Sequence, residues 1–117
     1  MNKRAIGTQY EYLAREYLIE NGYTIIDKNY RCKLGEIDII AMDNDYLCFI
    51  EVKYRLNSNK GHPAESITAN KMLRITKTAQ YYMMSNKYST NIKCRFDVVA
   101  ILADKIELIK NAFDAHY

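Results

Sequence analysis

Gly35-Glu36-Ile37-Asp38-Ile39-Ile40-Ala41, then Asp43-Asn44-Asp45, then Phe49-Ile50-Glu51-Val52-Lys53 reads as two strands joined by a tight turn. The flanks are β-branched and aromatic, and Asp and Asn supply the turn chemistry. The turn is either a two-residue loop, Asn44-Asp45, or a four-residue one from Asp43 to Tyr46. Both settings place Asp38 across from Glu51, Glu36 from Lys53 and Ile40 from Phe49. The other face then pairs Ile37 with Val52, Ile39 with Ile50 and Ala41 with Cys48. A slip of one residue would mix the two faces, so the hydrophobic pattern selects the register.

That register carries chemistry. Opposed side chains on a sheet sit roughly 5 Å apart at Cβ, and like charges so placed repel. An Asp38/Glu51 pair is costly unless a cation neutralises it or one carboxyl keeps its proton. A divalent ion is the natural answer. Mg²⁺ takes hard oxygen ligands and keeps several waters, so two carboxylates with open positions suit it. Lys53 shares their face, where an ammonium can orient or help deprotonate a water at the metal, or stabilise charge on a phosphate.

Length and composition suit one small soluble domain, residues 1–117, with 49% hydrophobic and 26% charged residues. No apolar run reaches membrane-spanning length, and the basic N-terminus leads into a charged helical pattern, so the cytoplasm is the expected compartment. Cys32, Cys48 and Cys94 have no metal-type spacing and read as reduced thiols. Net charge is only +3, but between Val52 and Phe96 nine basic residues face one acid, Glu65. Such asymmetry suggests a polyanion partner, although a lysine-rich solvated helix would give the same count.

Around the hairpin the elements follow in order. Arg4 to Glu20 is helical, with Ile6, Tyr10, Leu13, Ala14, Tyr17 and Leu18 as one apolar stripe and Asn21-Gly22 as its end. Glu11 sits at the edge of that stripe, either paired with Arg15 or leaning over the strands. Tyr23 to Tyr30 forms a first strand, completing a three-stranded antiparallel meander. Tyr54 to Pro63 is a candidate mobile loop at the mouth of the site, carrying Arg55, Lys60 and His62. His62 is more simply a loop histidine than a base or ligand. Thr68 caps a second helix to about Ser85, with Met72, Ile75, Ala79 and Tyr82 or Met83 as its buried stripe. Cys94 to Leu102 is a fourth strand, Lys105 to Lys110 a short fifth, and Asn111 to Tyr117 a tail. A helix between strands three and four implies a crossover and a mixed α/β sheet with helices on its faces.

Asp38, then Glu51-Val52-Lys53 on the next strand, with Glu11 on the preceding helix, resembles the PD-(D/E)xK nuclease superfamily, in particular its archaeal Holliday-junction resolvase branch. The chain is closer still to the YraN family of small bacterial proteins. That resemblance spans nearly the whole chain: Gly7 and Glu11, Asn29-Tyr30-Arg31, Gly35 to Asp38, Phe49 to Lys53 with Arg55, Pro63-Ala64-Glu65, Lys71, Arg95 to Val99 and Lys110 to Phe113. It implies a restriction-endonuclease-like fold and a Mg²⁺- or Mn²⁺-dependent endonuclease for structured or branched DNA. Asp38 and Glu51 would be the metal ligands, joined by the Val52 carbonyl, with Lys53 acting on the attacking water and Glu11 matching the helical acid of the resolvases. Arg55, Lys60, Lys71, Arg74 and Lys77 are the expected nucleic-acid contacts, and a two-fold homodimer is implied because two symmetric cuts need two sites. Two features depart from the superfamily: Ile37 stands where its name has proline, and Gln80 is followed four positions later by Met84, so no RecB-type Gln-x-x-x-Tyr motif is present.

Two other readings stay open. A non-catalytic nucleic-acid-binding protein would keep the fold and the salt-sensitive affinity without the reaction. A structural reading makes Glu36, Lys53, Asp38 and Glu51 a cross-strand salt-bridge ladder on a solvated face.

Overall fold

The computed structural model describes residues 3–59 and 61–117, with side chains from residue 6 onward. Helix α1, Lys3–Glu20, is followed by strands β1 (Thr24–Cys32), β2 (Gly35–Asp43) and β3 (Tyr46–Arg55). A single 3-10 turn, Pro63–Ser66, leads to helix α2 (Ala69–Ser85), then to strands β4 (Lys93–Leu102) and β5 (Lys105–Phe113). The strands form one sheet in the order β1-β2-β3-β4-β5. β3 and β4 are parallel and the other neighbours antiparallel. The expected mixed α/β sheet with a crossover helix is therefore present, and its element order is that of a restriction-endonuclease-like fold.

Each face of the sheet carries a core. On one side Ala14 and Leu18 of α1 pack with Ile39, Ala41, Cys48, Ile50, Val52, Val99 and Ile101. On the other, Ile75, Ala79 and Tyr82 of α2 cover Ile40, Leu47, Phe49 and Phe96. α1 ends as its sequence demands. Gly22 takes φ 91°, and the Tyr23 and Gly22 N–H groups donate to the Leu18 and Ile19 carbonyls at 3.0 and 3.1 Å. Leu13 is less buried than its helical spacing predicts, at 40% exposure, because the sheet meets α1 along the Ala14–Leu18 line. α2 starts where Thr68 accepts from the Lys71 N–H at 3.1 Å. Its buried face includes Thr76 and Thr78, which periodicity of apolar residues misses. Their hydroxyls donate to the Met72 and Arg74 carbonyls at 2.8 and 2.7 Å, so burial leaves neither unsatisfied.

The β2–β3 turn is the two-residue loop, with Asn44 in the left-handed region at φ 55°. The predicted register holds from Asp43–Tyr46 to Ile39–Ile50 and then stops. Ile37–Val52, Asp38–Glu51 and Glu36–Lys53 are not backbone pairs. β2 continues to follow β1 through Tyr30–Ile37, while β3 follows β4 through Glu51–Val98, so the two strands part. Ile37 accordingly packs in the α2 core with Ile40, one step out of alternation with Ile39.

The C-terminal segment needs a larger correction. β5 runs to Phe113, which stacks on Phe96 with centroids 5.0 Å apart, and the His116 N–H donates to Thr76 Oγ1 at 3.0 Å. Residues read as a tail thus close the edge of the α2 core. A bulge beside Asp97, with Asn111 at φ 54°, lets the strand continue past the point where its pattern fades.

Candidate active site

The site lies where β2 and β3 part. With the backbone ladder ended, the Val52 N–H donates to Asp38 Oδ2 at 2.8 Å. The aspartate side chain replaces a strand as acceptor and is fixed by doing so. Glu51, 7% exposed, lies within hydrogen-bonding reach of Asp38. Burial first, then the Asp38 charge, pushes the Glu51 carboxyl up to about 8. Burial also raises Asp38, against the lowering effect of the Val52 N–H and of Glu51. Of the two, Glu51 is thus the carboxyl whose neutral form the site favours more strongly.

Two ammonium groups reach the pair: Lys53 Nζ is 3.9 Å and Lys71 Nζ 3.7 Å from Glu51 Oε1. Lys71, expected among the nucleic-acid contacts on α2, thus stands at the acid pair itself. Glu11 is half-buried on α1, and its carboxyl is raised by burial and by the charges of Asp38 and Glu36. Asn29 holds it by a side-chain hydrogen bond that favours the charged form. Asn29 is the residue sequence reasoning missed. It sits at φ 51° in the middle of β1, opposite Asp38 and outside the regular pairing. Its signal was an Asn, a residue that tolerates the left-handed region, inside a β-rich run.

The remaining residues divide. Glu36 pairs with Arg31 at 3.3 Å rather than with Lys53. Arg74 and Lys77 are exposed on α2 and make no ion pair among the described residues, and Arg74 lines a cleft with Arg31, Cys32, Gly35 and Glu36. Arg55 is half-buried at the end of β3, with its Nε lacking a hydrogen-bond partner. Lys60 lies outside the described residues. His62 has both ring nitrogens engaged. Nδ1 accepts from the Ala64 N–H at 3.1 Å, and Nε2 lies 3.1 Å from Glu107 on β5. It ties its loop to the sheet edge, as the plainer reading had it. The solvated-ladder reading does not describe Glu51, which is buried.

The donor set fits a hard divalent ion in part. Asp38 and Glu51 offer carboxylate oxygens in one place, and burial first of all raises the proton affinity of both, so a cation arriving there would meet poorly solvated oxygens. Among the described residues no group of three or more Asp, Glu, His or Cys side chains converges on one point. An ion held here would fill its other positions with water and substrate oxygens, as Mg²⁺ commonly does.

The profile of the uncharacterised protein family UPF0102 matches residues 10–101, which contain every acid of this site. The chain belongs to UPF0102, the YraN family. A UPF0102 protein of Lachnoclostridium phytofermentans is 55% identical over 116 residues, 99% of this chain and 98% of the relative. UPF0102 proteins of Saccharophagus degradans and Clostridium kluyveri are each 46% identical, covering 92% of this chain and 91% and 93% of their own lengths. The YraN resemblance, which spans nearly the whole chain, is thereby established. UPF0102 membership brings no named activity with it. No described helix is long and apolar enough to cross a membrane.

Proposed function

We propose that this UPF0102 protein is a Mg²⁺- or Mn²⁺-dependent phosphodiesterase that cuts structured or branched DNA. The observation that carries the reading is the half-buried Asp38 beside the buried Glu51, which two lysines approach, at the point where β2 and β3 part. A plain structural role does not account for two adjacent carboxyls withdrawn from solvent, which cost stability unless cations meet them. A bound divalent ion would supply charge neutralisation at the scissile phosphate and a more acidic water.

The chain's own residues do the rest. Asp38 is preorganised by the Val52 N–H and needs no reorientation to act as a ligand. Glu51, whose carboxyl is raised by burial, would have to give up its proton to solvent to serve as one. Lys53 is placed to hold the attacking water, and Lys71 to face a phosphate oxygen as charge builds on it. Glu11, tethered by Asn29, adds a third acid at the rim.

The test is incubation with branched, flapped and linear DNA in Mg²⁺ or Mn²⁺, beside calorimetric titration of the metal alone. Cutting is expected to fall by more than about 100-fold in Asp38→Asn and Glu51→Gln and to persist in Lys87→Ala, with Mn²⁺ uptake lost in the first two. Absence of both cutting and metal uptake in the wild type would sink the proposal. DNA binding without either would assign the chain to the non-catalytic nucleic-acid-binding alternative.

A further inference from the structure

The described surface holds a cleft of about 620 Å³ lined by Tyr30, Arg31, Cys32, Lys33, Leu34 and Tyr81. We infer that this cleft receives the bases of an unpaired strand, so that the substrate carries a single-stranded segment next to the bond to be cut. The inference deepens the nucleic-acid reading above and rests on it.

Three observations converge. The first is the wall chemistry. Tyr81 is 42% exposed and Leu34 43%, while Tyr30 is anchored edge-on against Tyr82 with centroids 5.0 Å apart. A held ring and an exposed ring flanked by cations suit stacking of bases with neutralisation of phosphates. Duplex DNA hides its base faces and cannot use such rings without unstacking.

The second is continuity. Arg31 and Cys32 line both this cleft and the neighbouring one formed with Gly35, Glu36 and Arg74. Glu36 in turn is near enough to Asp38 to raise its proton affinity. Along α2 the exposed residues Arg74, Lys77 and Tyr81 fall at i, i+3 and i+7, one face of a helix. Lys71 at the acid pair starts that line, about 15 Å along the axis from Tyr81 at 1.5 Å per residue. That is the reach of a few nucleotides.

The third is charge. Lys33, Arg74 and Lys77 make no ion pair among the described residues, and the acid on the track, Glu36, is countered by Arg31 at 3.3 Å. By contrast Lys93 and Arg95, counted in the same basic stretch, are held by Asp45, Asp43 and Asp97. Lys33, Arg74 and Lys77 therefore set three cations without a carboxylate partner along the line that joins the cleft to the acids.

The experiment measures binding of a fluorescein-labelled oligodeoxythymidine and of a blunt duplex by fluorescence anisotropy, in EDTA so that no cutting occurs. The wild type is expected to prefer the single strand. Tyr81→Ala should weaken that binding about tenfold and leave duplex binding unchanged, and Tyr81→Phe should retain it, since stacking needs the ring and not the hydroxyl. Tyr81 is exposed, so its truncation leaves the fold intact, which equal urea midpoints would verify. Single-strand binding unchanged by Tyr81→Ala, or an equal loss for both probes, overturns the cleft assignment while leaving the phosphodiesterase proposal standing. A wild type that binds neither probe overturns the cleft assignment, and the phosphodiesterase proposal is then decided by cutting of branched DNA and by metal uptake.

Discussion

At the scale of single residues, the Asp38–Glu51 pair makes a pH statement with a definite sign. Glu51 has an ordinary pKa near 4.5 and is raised to about 8 in the folded chain. The native state then holds a proton that the unfolded chain releases, so the contribution of Glu51 to stability is fullest below about 4.5 and declines as the pH rises towards 8. Urea midpoints of the wild type are expected to fall across that window, and those of Glu51→Gln to stay level. A wild-type midpoint that climbs there would refute the assignment of the proton. Metal uptake at the pair must displace the same proton, so Mn²⁺ affinity should rise with pH over the same range, as titration in buffers of different ionisation enthalpy can check.

At the scale of elements, the hairpin, both helices and the crossover were legible because each obeys a local rule. Asn44-Asp45 gives the turn, Thr68 the cap, and alternation the register. The parting of β2 from β3 was not legible, since it arises from competition between β1 and β4 for the two strands, and no short window contains both competitors. The same holds for Gly35, at φ 156°, where an added Cβ would lie 2.8 Å from Thr78 Oγ1. α2 docks directly on this turn, and Gly35→Ala is expected to cost about 1–3 kcal/mol by denaturant titration. Combining it with Thr78→Ala should recover part of the loss, because the two positions touch. Of the candidate site, Asp38, Glu51, Lys53 and Glu11 could be read from spacing and resemblance. Lys71 at the pair and Asn29 beside Glu11 could not, because each depends on how a helix packs on the sheet, not on its neighbours in sequence.

At the scale of the whole molecule, charge is sorted between structure and surface. Arg95 donates to Asp97 at 2.8 and 2.9 Å and to Asp43 at 2.7 Å, while Tyr23 donates to Asp97 at 2.7 Å. Lys110 adds a contact to Asp43 at 3.0 Å, and the Asn111 N–H one to Asp97 at 2.9 Å. This network joins β2, β4, β5 and the start of β1. It explains why Arg95 and Asp97 stood out in sequence without belonging to the acid pair. Removing Asp97 leaves Arg95 with Asp43 alone and takes the acceptor from the Tyr23 hydroxyl and the Asn111 N–H, so Asp97→Ala is expected to cost about 3–5 kcal/mol in urea unfolding. The unpaired cations behave differently. Arg74→Ala should leave stability unchanged but reduce by about one unit the slope of log affinity for DNA against log salt, while Lys93→Ala leaves that slope alone. An equal change in both slopes would mean that the net charge, and not the α2 line, attracts the polyanion.

The fastening of Asp38 to the Val52 amide reaches beyond this one chain. That side chain completes a strand's bonding as well as offering an oxygen to an ion, so a lineage that abandoned the reaction would still be held to aspartate or asparagine there. Glu51 completes no strand. Its replacement by glutamine or an apolar residue in a descendant would be the mark of retired chemistry, readable from genomes before any assay is run.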